Sequence, residues 1–316
     1  MKKRILSCIL FLGLLTVSLW GLSLYFLPKN NTPEAGMGDV LANGILAEPE
    51  NTLDYLVLGD SLAMTGVNPW TLGHDRGYTG YVCAATGLDP EGAAGFLDTA
   101  LKHQQPKVVL LEAHQLYKAL TPLESGARRV SRLIPVLEYH DNWKFLKPAQ
   151  ALQCVHYDNT MVERGYYLRK AVSPADPGDY MTPQDGNDPI PEQSLRILGR
   201  MADRCRERGI TLVVFSLPSP ANWSDAAHRA VEEVSEKMGL TYVDLNREDL
   251  GLDWSRDTLD GGDHLNDRGA EKASAFLGRL LERYGLEDRR GNEHYERWHR
   301  DFERFTALAA DAEDTL

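Results

Sequence analysis

Short apolar runs alternate along the chain with longer stretches whose apolar positions recur at helical spacing, which predicts a parallel sheet covered by helices on both faces. Strands are expected at about 53–58, 80–84, 107–112, 210–216 and 241–245. Helices are expected over 89–103, 191–208 and 224–238, with a last core helix running from near Asn266 to about Tyr284. Asp89-Pro90-Glu91 supplies an acidic cap with proline in the first turn, while Ser224-Asp225 and Gly239 bracket the third helix. The predicted class is α/β: a three-layer α/β/α, flavodoxin-like sandwich with a mainly parallel five-stranded sheet, preceded by a transmembrane helix.

That first helix is read from Ile5 to Leu27, an almost uninterrupted apolar stretch behind Lys2, Lys3 and Arg4. It is long enough to cross a hydrocarbon core, and the cations in front of it place the remainder of the chain outside the cytoplasm. It runs into Tyr25-Phe26-Leu27-Pro28-Lys29 without a small-residue cleavage site, so an uncleaved anchor is expected over residues 1–27. Residues 28–50 mix Pro, Asn, Gly and acids and read as a linker. An α/β domain is then expected over 51–290 with a proline-rich insertion at 116–190, followed by a helical tail over 291–316.

The formal charge of −12 becomes more negative still without the three anchor cations, which disfavours a nucleic-acid partner. Outside the anchor, Cys83, Cys154 and Cys205 match neither a zinc spacing nor a dense disulfide framework. The acidic loop Asp257–Asp263 has Leu259 and Gly261 where a calcium loop needs oxygen ligands, and no phosphate-cradling glycine loop is present. No metal and no cofactor is assigned.

The candidate chemistry lies at the two ends of the predicted domain. Gly59-Asp60-Ser61 follows the first strand directly, and Asp260-Gly261-Gly262-Asp263-His264 answers it far downstream. A serine hydroxyl becomes a useful nucleophile when a histidine takes its proton, and the histidine needs an acid to fix its tautomer. Ser61 is the candidate nucleophile and His264 the candidate base, with Asp260 or Asp263 as the acid. Asp260 is favoured because Gly261 and Gly262 allow the chain to fold back. The competing reading is that Asp60 and Ser61 merely cap the next helix and that His264 is an exposed loop histidine; the placement of Ser61 directly after the strand favours the nucleophile.

These blocks resemble the SGNH, or GDSL, hydrolase superfamily, with Gly59, Asp60 and Ser61 matching its first block and the loop ending in His264 its last. Within that superfamily the chain looks most like membrane-anchored bacterial proteins of cell-surface polysaccharide O-acylation, relatives of the lipoteichoic acid D-alanyl transfer protein. The phrases that carry this are Gly59–Pro69, His140-Asp141-Asn142-Trp143 and His264–Ala270. The resemblance covers roughly 53–283 and implies an acyl-serine mechanism with an oxyanion hole formed by the Ser61 and Gly87 amides. It also implies a cell-envelope polysaccharide as substrate, with His140 and Trp143 suited to binding sugar rings or to packing the insertion. The alternative it leaves open is a non-catalytic binding or assembly factor beside a membrane-bound acyltransferase. Two departures stand out: the superfamily's Gly-x-Asn-Asp block is replaced by Glu112-Ala113-His114-Gln115, and Asp260 lies four residues before His264 instead of three.

Overall fold

The computed structural model describes residues 1–144, 153–183, 185–186 and 188–312. They fall into two compact units, Met1–Val40 with Thr121–Asn159, and Leu41–Leu120 with Thr160–Leu316.

The larger unit holds the sheet. Strands β1 (Tyr55–Gly59), β2 (Gly80–Ala84), β3 (Val108–Glu112), β4 (Thr211–Ser216) and β5 (Thr241–Asp244) are all parallel, in the order β2-β1-β3-β4-β5. β1, β2 and β3 are buried throughout, so they read in sequence as near-continuous apolar runs. Their side chains still alternate between two cores. Leu56, Leu58, Val109, Leu111 and Val214 face one core, together with Leu97, Ile197 and Val231 from the helices Pro90–Ala100, Glu192–Glu207 and Asp225–Met238. Val57, Leu110, Val213 and Phe215 face the other, together with Leu62 and Leu277 from the helices Ser61–Gly66 and Asp267–Leu281. The three-layer reading therefore holds, and the strands and core helices begin and end within a few residues of expectation.

Two boundaries differ from the sequence reading. Residues 41–50 are packed structure rather than linker: Ile45 is buried, Tyr81 Oη donates to the Leu41 carbonyl at 2.7 Å, and Glu48 pairs with the buried Arg164. The tail is likewise integral to the larger unit, because Trp298 and Phe305 of the helix Glu296–Asp311 join the core around Trp70. Arg164 links both corrections. It is fully buried over the Trp298 ring at 4.4 Å and pairs with Asp301 at 2.6 Å as well as with Glu48. Its segment belongs to the predicted insertion, yet it lies at the sheet edge, where the Val82 amide donates to the Arg164 carbonyl at 2.9 Å.

The smaller unit contains the helix Lys2–Phe26, which is long and apolar enough to cross a membrane. It also contains the helices Pro122–Leu133 and Pro135–Tyr139. Residues 145–152 of the predicted insertion lie outside the described residues.

Candidate active site

Ser61 is the first residue of a short helix that starts where β1 ends. Asp60 caps that helix, accepting from the Leu62 amide at 3.0 Å. Gly59 permits the tight turn, since a Cβ there would come within 2.5 Å of the Ala63 Cβ and 2.8 Å of the Glu112 Cβ. The cap and the nucleophile readings of Asp60-Ser61 are thus compatible: Asp60 caps, and Ser61 is left facing the sheet's carboxyl end.

His264 reaches Ser61 from a loop closed on itself. Thr258 and Leu265 form an antiparallel bridge, the Leu259 amide donates to the His264 carbonyl at 3.0 Å, and Gly261 and Gly262 take positive φ of 73° and 96° at the tip. This bend brings Asp260 back over the histidine. Its Oδ1 accepts the His264 amide at 2.7 Å, and its Oδ2 lies 2.8 Å from Nδ1. On the other side of the ring, Nε2 lies 2.9 Å from Ser61 Oγ. The extra residue relative to Asp-x-x-His is absorbed by the two glycines.

Asp263 is turned elsewhere. Its Oδ1 stands 3.5 Å from Nδ1 and accepts a hydrogen bond from Asn222 Nδ2, while Ser219 Oγ donates to its carbonyl at 2.7 Å. Asn266 fixes the loop's exit, donating to the Arg256 carbonyl at 2.7 Å and capping the next helix through Gly269. Ser219, Asn222 and Asn266 have no sequence signature as a group; they meet only because β4 ends beside this loop.

The structure therefore brings Ser61, His264 and Asp260 into one hydrogen-bonded row, with Asp263 at its edge. Gly87 lies at the same end of the sheet, three residues past Ala84, the register partner of Gly59. It is exposed, with φ of 70°. His140 and Trp143 belong to the smaller unit and are both exposed.

Where the resemblance would place an asparagine, β3 delivers a second polar cluster. His114 Nδ1 and Lys118 Nζ each lie 2.8 Å from Asp60 Oδ2, and the His114 amide donates to Glu112 at 3.0 Å. Burial pushes the Asp60 carboxyl up, but the hydrogen bonds and charges of His114 and Lys118 outweigh it and hold the group below its ordinary value. For His114 burial acts downward, and Asp60 and Glu112 override it to favour the imidazolium. For Glu112 the balance goes the other way: burial, then the neighbouring Asp60 charge, outweigh the His114 charge and the His114 and Leu217 amides and push it up to about 8. Asp60, Glu112 and His114 could jointly face a cation, but Lys118 already occupies the Asp60 oxygen such an ion would need. In the His264 cluster both ring nitrogens are committed to Ser61 and Asp260.

Glu112 makes stability depend on pH. Its folded value lies above its ordinary 4.5, so its contribution is complete below that value and is lost as pH rises through about 8. His114, also raised, adds in the same direction. We expect the melting temperature of the wild type to fall from pH 5 to pH 9 and that of Glu112→Gln to fall less, because glutamine keeps the acceptor and removes the charge. Parallel curves for the two proteins would show that Glu112 does not carry the titration.

A serine, histidine and aspartate hydrogen-bonded in one row at the carboxyl end of a parallel α/β sheet have the geometry that nucleophilic acyl transfer requires. No family model and no curated protein matches the chain. Among solved structures it is similar to a lipolytic protein of the G-D-S-L family from Desulfitobacterium hafniense, with 10% identity, 73% of this chain and 100% of that one covered, and a TM-score of 0.38. It is also similar to a lipase/acylhydrolase from Enterococcus faecalis, with 11% identity, 75% and 98% covered, and a TM-score of 0.42. A third is the psychrotrophic esterase EstA from a Pseudoalteromonas species, with 12% identity, 73% and 97% covered, and a TM-score of 0.40. Likeness at this level leaves the function to the geometry of the site.

Proposed function

We propose that the protein is a membrane-anchored serine esterase or O-acyltransferase that handles acyl groups, acetyl in the first instance, on an extracytoplasmic cell-envelope polysaccharide. The observation that carries the ester chemistry is the row Ser61 Oγ, His264 Nε2 and Nδ1, Asp260 Oδ2, with contacts of 2.9 and 2.8 Å. The polysaccharide and the acetyl group rest on the resemblance of the motif phrases. The anchored topology rests on the spanning-length helix behind three cations.

In this reading Asp260 accepts the Nδ1 proton of His264, which leaves Nε2 as the base. Nε2 takes the Ser61 hydroxyl proton as Oγ adds to the ester carbonyl. The resulting oxyanion is met by the Ser61 and Gly87 amides, the Leu62 amide being already spent on Asp60. Collapse breaks the ester C–O bond, and Nε2 returns its proton to the departing sugar oxygen, leaving an acyl-serine. Water or a second sugar hydroxyl then adds to the acyl carbon and gives its proton to Nε2. The second collapse returns that proton to Ser61 and releases a carboxylic acid or a new ester.

A serine-directed fluorophosphonate should label the purified full-length chain at Ser61 and fail to label either Ser61→Ala or His264→Ala. An unlabelled wild type would favour the non-catalytic binding factor.

A further inference from the structure

The helix Pro122–Leu133 carries its apolar residues on the outside. Leu123, Ala127, Val130 and Leu133 follow one another at helical spacing and are exposed, and Leu137 in the next helix, Pro135–Tyr139, is exposed as well. Leu123 and Leu133 are 82% and 81% exposed, and the nearby Trp143 is 64% exposed. The buried side is instead the small Ser125, an inversion of the pattern by which a helix covers a soluble core. Arg128, Arg129 and Arg132 interleave with the stripe; Glu124, folded back into the Thr121 capping box, faces Arg128, and Glu138 faces Arg132, so the helix keeps a net positive charge. Exposed Leu and Trp interleaved with Arg is the composition of a helix that lies in a lipid interface.

Its position within the unit fits. The helix Lys2–Phe26 has 25 residues, about 37 Å at the helical rise, against a hydrocarbon core of about 30 Å. Its last turn therefore stands at headgroup level. The Val136 amide donates to Ser23 Oγ at 3.2 Å, and Asn142 Nδ2 to the Phe26 carbonyl at 3.3 Å. The exposed stripe is thus pinned where the spanning helix leaves the bilayer, and its arginines complement anionic headgroups in a chain that is otherwise strongly acidic.

We propose that Pro122–Tyr139 and Trp143 form a lipid-docking surface seated on the anionic phospholipid headgroups around the exit of the spanning helix, an inference that rests on the anchored reading above. Trp143 then serves as an interfacial anchor rather than a sugar platform.

The test uses the full chain in bilayers with and without phosphatidylglycerol, spin-labelled in a Cys8→Ser, Cys154→Ser background whose remaining Cys83 and Cys205 are buried. Labels on Leu123→Cys, Val130→Cys and Leu133→Cys should collide more with oxygen and less with a water-soluble nickel chelate than a label on the exposed Glu236→Cys. Arg129→Gln should lower the docked-to-undocked ratio about fivefold, the worth of one cation near an anionic surface. The native Cys8, labelled with Cys154→Ser alone, reports the anchor separately. If Cys8 is immersed and the three stripe labels are as hydrated as Glu236→Cys, the docking surface is wrong and the anchor stands. If Cys8 itself is hydrated, both fail. Equal immersion without phosphatidylglycerol would overturn the anionic-headgroup assignment, and spin coupling between stripe labels of different chains would replace the lipid with a second copy.

Discussion

Ser61→Ala should lower hydrolysis of a small acetyl ester by about four to six orders of magnitude, because removing the nucleophile leaves only binding and oxyanion stabilisation. Folding should survive, since the Ser61 hydroxyl is half-buried and among the described residues bonds only His264, while the turn is held by the Asp60 cap and the strand behind it. The change in stability should stay within about 1 kcal/mol. Initial rates and thermal melts of the same preparation check both halves. His264→Ala should fall as far, and added imidazole should recover part of the rate because the loop's backbone bridge persists without the ring. Turnover near the wild-type rate in Ser61→Ala would remove the nucleophile from this site altogether.

The sheet was legible because its central strands are buried on both faces, which turns them into unbroken apolar runs flanked by capped helices. The Ser61 and His264 blocks were legible because each sits directly beside an element boundary. Other parts could not be read. Asp60 and His114 are 54 residues apart and meet only because β1 and β3 are neighbours, so Glu112-Ala113-His114 looked like a lost motif when it holds a charged cluster against the nucleophile's turn. A charged residue ending a fully apolar strand was the available signal. The helix Glu296–Asp311 showed an amphipathic stripe, but such a stripe does not say what it covers. Here it closes over Trp70 and Arg164 and becomes core. Residues 41–50 failed for the same reason: a turn-rich composition describes local backbone and is silent about Arg164, more than a hundred positions away, that buries Glu48.

The acid of the proposed triad shows how far local geometry can separate two candidates. Asp260 and Asp263 flank the same histidine, have equally exposed side chains at 42%, and differ in distance to Nδ1 by only 2.8 against 3.5 Å. What separates them is commitment. Asp260 gives both oxygens to His264, one to its backbone amide and one to its ring, so it fixes the ring's position and its tautomer together. Asp263 gives its nearer oxygen to Asn222 and has its carbonyl held by Ser219, so its carboxylate serves the loop and adds only a screened charge near the ring. Asp260→Asn should therefore lower turnover by about four orders of magnitude, because an amide turned to donate to Nδ1 favours the wrong tautomer. Asp263→Asn keeps an acceptor for Asn222 and should cost no more than about fivefold, the value of one half-exposed ion pair. Rates for the two variants, measured with an ester of the same acyl group, decide the assignment: the reverse ranking would make Asp263 the orienting acid, and two equally small losses would reduce the site to a Ser61–His264 dyad.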